Sequence, residues 1–179
     1  MPSRAAGKAI SNRDHSKLAD SISRENTPSS DVVAHLQTQV ANAFVLYSNY
    51  KHYHWQTFGP LFRDLHLLFD EFATAVLATI DDFAERLRMI GQDPIFRPDD
   101  VQRAASVKVS GDAATMREMI EEANGNLLVV IGEMRVAARV ADDHDDPGTV
   151  DLFSRHVQIH EKHEWFLRDI LERNDGLVS

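Results

Sequence analysis

Apolar residues recur every three or four positions through four long stretches of this chain, the period of a helix with one buried face, and no stretch alternates in the manner of a strand. In the first stretch Val33, Leu36, Val40, Phe44 and Tyr47 follow the start signal Pro28-Ser29-Ser30-Asp31, predicting a helix over 31–57. Gly59-Pro60 turns the chain tightly into a second helix over 60–90. Pro60 suits a first helical turn, Gly91 suits the position just past the end, and Leu65, Leu68, Phe69, Phe72, Val76, Phe83, Leu87 and Ile90 form the core stripe. Residues 92–111 hold Pro94 and Pro98 and break the period, so they read as a long connection with one short helix near 99–105. Asp112 is the expected cap of a third long helix, in which Met116, Ile120, Ala123, Leu127, Val130, Met134, Ala138 and Ala141 repeat almost in heptads. A fourth, over 148–173, carries Leu152, Phe153, Val157, Ile159, Phe166, Leu167, Ile170 and Leu171 on one broad face. The expectation is an all-α protein: a four-helix bundle with a long crossover between helices 2 and 3 that carries the short helix.

Composition sharpens this in three ways. A chain of 179 residues is the size of one domain, and residues 1–30, rich in Ser, Asn and Arg, read as a flexible tail ahead of a bundle over 31–175. The tail holds five basic and three acidic residues, a net +2, so the rest of the chain carries −11 of the total −9. That balance argues against a body that grips nucleic acid and for one that attracts cations, while the tail is either a solvated end or an arm that touches DNA phosphates when many copies are displayed together. With no cysteine, no charged-then-apolar leader, and a longest apolar run of only Leu127 to Ile131, the expectation is a soluble cytoplasmic protein without thiolate chemistry and with no membrane partner.

The candidate chemistry lies on helix 2. Counted from His66 at about 100° per residue, Asp70 falls near 40°, Asp81 near 60° and Glu85 near 100°, so four potential metal ligands share one stripe. Asp70 and Asp81 are nonetheless roughly 16 Å apart along the helix, too far for one ion to touch both within a chain. The stripe flanks the core face, and Ala73, Thr74, Leu77 and Ala78 lie between its two ends, a composition that suits close contact with another helix. Asp64, Glu71, Asp82 and Arg86 make up a third, solvated face. A two-fold axis near residue 75 or 76 would bring His66 and Asp70 of one copy opposite Asp81 and Glu85 of its mate, giving two identical split sites per dimer. His54 and His66 are equidistant from Pro60, so the hairpin sets them level and adds a second imidazole. Two histidines with up to three carboxylates form a mixed nitrogen and oxygen set that suits iron, and also zinc or manganese. Any single pair of this kind is ordinary surface charge; the two matched pairs, the level His54 and the apolar spacing together favour metal.

Two further clusters each admit two readings. Asp142, Asp143, Asp145, Asp146 and Asp151 surround the turn between helices 3 and 4, where acid at a helix C-terminus opposes the dipole; they are either a solvated loop or an ion entry path. His156, His160 and His163 fall within about 60° on helix 4, near Glu164, and form either a second metal site or hydrogen-bonded core histidines, since they lie inside the apolar face. His52 and His144 read as exposed, and Trp55 and Trp165 as packing residues near the site or as rings that quench radicals.

His54-Trp55, Gly59-Pro60, Leu65-His66-x-x-x-Asp70, Asp81-x-x-x-Glu85-Arg86 and Gly91 resemble the motif of the Dps miniferritins, the DNA-binding proteins from starved cells. His160-Glu-Lys-His-Glu-Trp165-Phe-Leu is similar to a stretch common in their fourth helix, and the likeness spans 31–173. The resemblance implies a ferritin-like bundle that assembles as a hollow homododecamer. It also implies ferroxidase sites with His54, His66 and Asp70 from one subunit and Asp81 and Glu85 from its two-fold mate. Such a protein oxidises Fe²⁺, preferentially with hydrogen peroxide rather than O₂, stores ferric mineral, and protects the cell and its DNA from oxidative damage, in some cases as part of the nucleoid. The alternative is a DNA-compacting shell whose metal site is vestigial or filled by zinc. A ferritin with its site inside one bundle fits poorly, because no histidine here follows a glutamate by three residues.

Overall fold

The computed structural model describes residues 16–17, 28–111, 113 and 115–172. Five helices follow one another, α1 (Ser30–Gln56), α2 (Phe62–Met89), α3 (Pro98–Ala104), α4 (Met116–Asp143) and α5 (Pro147–Leu171), and the described residues include no strand. All four long helices and the short crossover helix stand within a few residues of their expected places. Most of the tail expected over 1–30, including any contact it makes with DNA, lies outside the described residues.

Local chemistry sets the ends. Ser29 Oγ caps α1 by accepting from Asp31 and Val32 backbone N–H at 3.2 and 3.3 Å. Gly59 takes φ 81°, a left-handed conformation that a Cβ would strain, and its carbonyl accepts from Phe62 N–H at 3.0 Å as the hairpin closes. Gly91, at φ 79°, ends α2: Gly91 N–H reaches Arg88 O at 3.0 Å and Gln92 N–H reaches Leu87 O at 2.8 Å, which satisfies carbonyls the helix leaves open. The start of α4 differs from the expected Asp112 cap. Thr115 caps it in a reciprocal box, its hydroxyl accepting from Glu118 N–H at 3.2 Å while Glu118 Oε2 accepts from Thr115 N–H at 3.0 Å. Two donors are satisfied this way, against the one that a lone aspartate would satisfy.

α1 pairs with α2 and α4 with α5 as two hairpins, joined face to face through α1 against α4 and α2 against α5, with α3 laid on α1. Phe69, Phe83, Phe153, Leu36, Leu87 and Leu127 are fully buried between them, each such side chain contributing roughly 1.5–3 kcal/mol. Side-chain amides strap the crossover down. Asn42 Oδ1 accepts from Ser106 N–H at 2.9 Å, Asn49 Oδ1 from Ser110 N–H at 2.8 Å, and Asn126 Oδ1 from Lys108 N–H at 3.0 Å. These bonds give strand-free backbone the partners it needs when it runs against a helix.

The face of α2 expected to be solvated is in part a docking face. Arg86 Nη2 meets Asp146 Oδ1 at 2.5 Å and its Nε donates to Thr149 Oγ1 at 2.9 Å, while Asp82 Oδ2 lies 3.0 Å from His156 Nε2. Helix α5 thus engages Arg86 on this side of α2, while Asp64, Glu71 and Asp82 are exposed as expected. No helix among the described residues is long and apolar enough to cross a membrane.

Candidate metal centre

Because the α1–α2 hairpin is symmetric about residue 60, His54 and His66 face each other across it. Their rings stack with centroids 3.7 Å apart and 20° between planes. His54 Nδ1 bonds His66 O at 2.7 Å, and His66 Nδ1 bonds His54 O at 2.8 Å. A carbonyl only accepts, so each Nδ1 carries the proton and, in the neutral ring, each Nε2 keeps its lone pair. Such a carbonyl contact on the far nitrogen is how ligand imidazoles are oriented and fixed in one tautomer. The pair therefore presents two parallel nitrogen donors, supported by Phe62 stacked at 5.2 Å on His66.

One turn along α2, Asp70 extends the pair with a carboxylate that accepts from Lys51 Nζ at 2.6 Å. The hydrogen bond from Lys51, with the positive charge that Lys51 brings, holds the Asp70 carboxyl below its ordinary value. Lys51 was not among the residues that sequence reasoning singled out. Its signal lies in the same arithmetic that levels the histidines, since residue 51 of α1 falls opposite residues 69 and 70 of α2.

Asp81 and Glu85 are exposed on the other half of α2, with Leu77 and Ala78 also exposed on the turns before them. Among the described residues no three His, Asp or Glu side chains converge so as to hold a metal ion. Within one chain the candidates thus stand as two groups, His54, His66 and Asp70 in one and Asp81 and Glu85 in the other.

Of the acidic cluster, Asp142, Asp143 and Asp145 are exposed around the α4–α5 turn, where Asp145 takes φ 55°. Asp146 is engaged: it caps α5 by accepting from Thr149 N–H at 3.0 Å and holds Arg86. Asp151 pairs with Arg155 at 3.0 Å. Gly148 is a residue the sequence did not flag; a Cβ there would lie 2.9 Å from Arg86 Nη2, so a larger residue would make the guanidinium shift from this place.

On α5, His156, His160 and His163 are buried in the bundle. His163 stacks on Phe72 at 3.8 Å, while Glu164 turns to Arg168 at 2.9 Å, away from the row. Burial first, then the neighbouring His163 and His156, push His160 down to about 3; burial, then Lys162, pushes His163 down to about 4. His156 is lowered too, burial outweighing the nearby Asp82. Trp55 and Trp165 are both exposed on the monomer.

The chain is similar to known proteins over most of its length. A family model described as a ferritin-like domain matches residues 33–176. A protein of Brevibacillus brevis named DNA protection during starvation protein is 36% identical over 137 residues, 76% of this chain and 92% of its own length. The solved structure of Dps from Thermosynechococcus elongatus is similar at TM-score 0.80 and 46% identity, covering 90% of this chain and 99% of that one. That of Dps from Vibrio cholerae O1, described as a member of a broad superfamily of ferritin-like diiron-carboxylate proteins, is similar at TM-score 0.77 and 26% identity, covering 84% of this chain and 92% of that one. With two helical hairpins joined through a long crossover, the chain belongs to the Dps family of ferritin-like proteins.

Proposed function

We propose that this protein oxidises Fe²⁺ at sites shared between two-fold related subunits, preferentially with hydrogen peroxide, and stores the ferric product inside a hollow dodecamer. The observation that carries the reading is the stacked His54–His66 pair, in which both Nδ1 atoms are committed to carbonyls and both Nε2 atoms are left to bind a metal. Asp70 adds an oxygen donor beside them, and Asp81 and Glu85 of the mate complete a nitrogen and oxygen set of the kind iron prefers.

Each group has a task in this reaction. The imidazoles bind Fe²⁺ as neutral donors, and the carboxylates offset its charge and favour the more highly charged Fe³⁺ product. Holding two Fe²⁺ beside one peroxide supplies the two electrons that convert H₂O₂ and two protons to two waters, with proximity as the protein's main contribution. The exposed Asp142, Asp143 and Asp145 supply an acidic approach for the cation. The bundle over 31–175 is the unit that does this work.

Anaerobic Fe²⁺ loading followed by peroxide or air, with particle size measured alongside, tests the proposal. Rapid appearance of Fe³⁺ absorbance in a particle of about twelve chains is expected, faster with peroxide, and Asp81→Ala should slow it by at least about tenfold without changing particle size. A rate unchanged by Asp81→Ala would refute the ligand assignment. Zinc held at the site with no oxidation would favour a shell without ferroxidase activity.

A further inference from the structure

Directly behind the histidine pair, α1 turns a phenol into the bundle. Tyr53, the residue before His54, is fully buried, and its Oη donates to Glu122 Oε1 of α4 at 2.5 Å. That is the length of a charge-assisted O–H···O⁻ bond, the strong kind. On α2 its ring packs on Phe69, the residue before Asp70, with centroids 5.2 Å apart. Tyr53 therefore stands against the chain neighbours of two candidate ligands, one on each helix of the hairpin. Phenylalanine would fill this buried place as well, but it would not set a phenol on the half-buried Glu122 carboxylate.

We infer that Tyr53, with Glu122 as its proton acceptor, is a built-in one-electron donor that completes peroxide reduction when a site holds a single Fe²⁺. The inference rests on the ferroxidase reading above, and it follows from electron counting. Peroxide needs two electrons to become two waters, whereas one Fe²⁺ supplies one, and the shortfall otherwise leaves as hydroxyl radical. The balanced step is Fe²⁺ + Tyr–OH + Glu–COO⁻ + H₂O₂ + 2 H⁺ → Fe³⁺ + Tyr–O• + Glu–COOH + 2 H₂O. The phenol loses one electron, the O–O bond breaks, and the phenolic proton passes along the existing bond to the Glu122 carboxylate.

The proton acceptor distinguishes Tyr53 from the other aromatic side chains near the site. Tyr50 is equally buried and packs on the same Phe69 at 6.3 Å, but its Oη has no hydrogen-bond partner among the described residues. Removing an electron from Tyr50 would leave a charged ring in an apolar interior, which is costly.

The assembled protein is loaded anaerobically with one Fe²⁺ per two sites, mixed with peroxide and frozen. Electron paramagnetic resonance then reads the radical, Fe³⁺ absorbance reads oxidation, and a spin trap reads hydroxyl radical. A tyrosyl signal is expected in the parent and in Tyr50→Phe, absent in Tyr53→Phe and reduced severalfold in Glu122→Gln, with spin-trapped hydroxyl radical rising severalfold in Tyr53→Phe. Circular dichroism and particle size confirm that each variant is folded and assembled. Iron oxidation without a tyrosyl signal in the parent, or a signal undiminished in Tyr53→Phe, overturns the inference. Absence of iron oxidation in the parent instead overturns the ferroxidase reading, and Tyr53 loses its role with it.

Discussion

At His54 and His66 the decisive detail is which ring nitrogen is left over. Each Nδ1 is spent on the carbonyl of the other residue, so the two rings hold one another in place before any metal arrives. A site prepared in this way loses little side-chain entropy on binding. Asp70 is prepared differently, by a cation: Lys51 sits at 2.6 Å where a metal would also place its charge. Replacing Lys51 by Met removes a competitor for Asp70, and a severalfold tighter binding of Zn²⁺ to the assembled protein is expected by calorimetry. Weaker binding would mean that Lys51 serves chiefly to aim the carboxylate.

Among the helices, the join between α2 and α5 concentrates the most consequences in the fewest atoms. Asp146 caps α5 and at the same time pairs with Arg86, whose guanidinium lies close over Gly148. Loss of an N-cap alone costs about 0.5–2 kcal/mol. Asp146→Ala should therefore lower stability by about 2 kcal/mol or more in chemical denaturation, whereas Asp145→Ala, one residue away and exposed, should stay within about 0.5 kcal/mol of the parent. Equal effects of the two would remove Asp146 from this role.

That join also shows what the sequence could and could not tell. Helical period located α1, α2 and α5 to within a few residues, and hairpin symmetry levelled His54 with His66, because both follow from local geometry. The same symmetry makes Lys51 readable opposite Asp70. The box that starts α4 is written in the chain as Thr115-x-x-Glu118, and Asp112 drew the assignment only because aspartate is a common cap. Arg86 reads as solvated because it is polar, yet which side of α2 meets α5 depends on packing between distant segments, which periodicity does not encode. For the same reason nothing in the sequence tied Gly148 to Arg86, or Tyr53 to Glu122, 69 residues apart.

For the molecule as a whole, the buried histidines of α5 set an acid limit. An unfolded imidazole titrates near 6.5, while His160 is held down to about 3 and His163 to about 4. Below pH 6.5 the unfolded chain therefore binds protons that the native chain does not. Stability rises with pH across that window and is lost as pH falls from 6.5 toward 4. At pH 5 the loss is about 2 kcal/mol for each fully shifted imidazole. The thermal midpoint at fixed protein concentration should drop between pH 7 and pH 4.5, and His160→Leu should flatten that drop; an unchanged slope would place the acid sensitivity elsewhere.

The division of ligands between two copies of α2 makes assembly a condition of the chemistry, and it can be tested by mixing. Two inactive variants, His66→Ala and Asp81→Ala, are unfolded together in equal amounts and reassembled. In each mixed dimer one site collects both substitutions and the other collects neither, so about a quarter of all sites should regain the full ligand set. Iron oxidation by peroxide recovering to about a quarter of the parental rate is the expected result. Reassembled mixed particles no more active than either variant alone would mean that the ligands come from a single chain, and would contradict the split site.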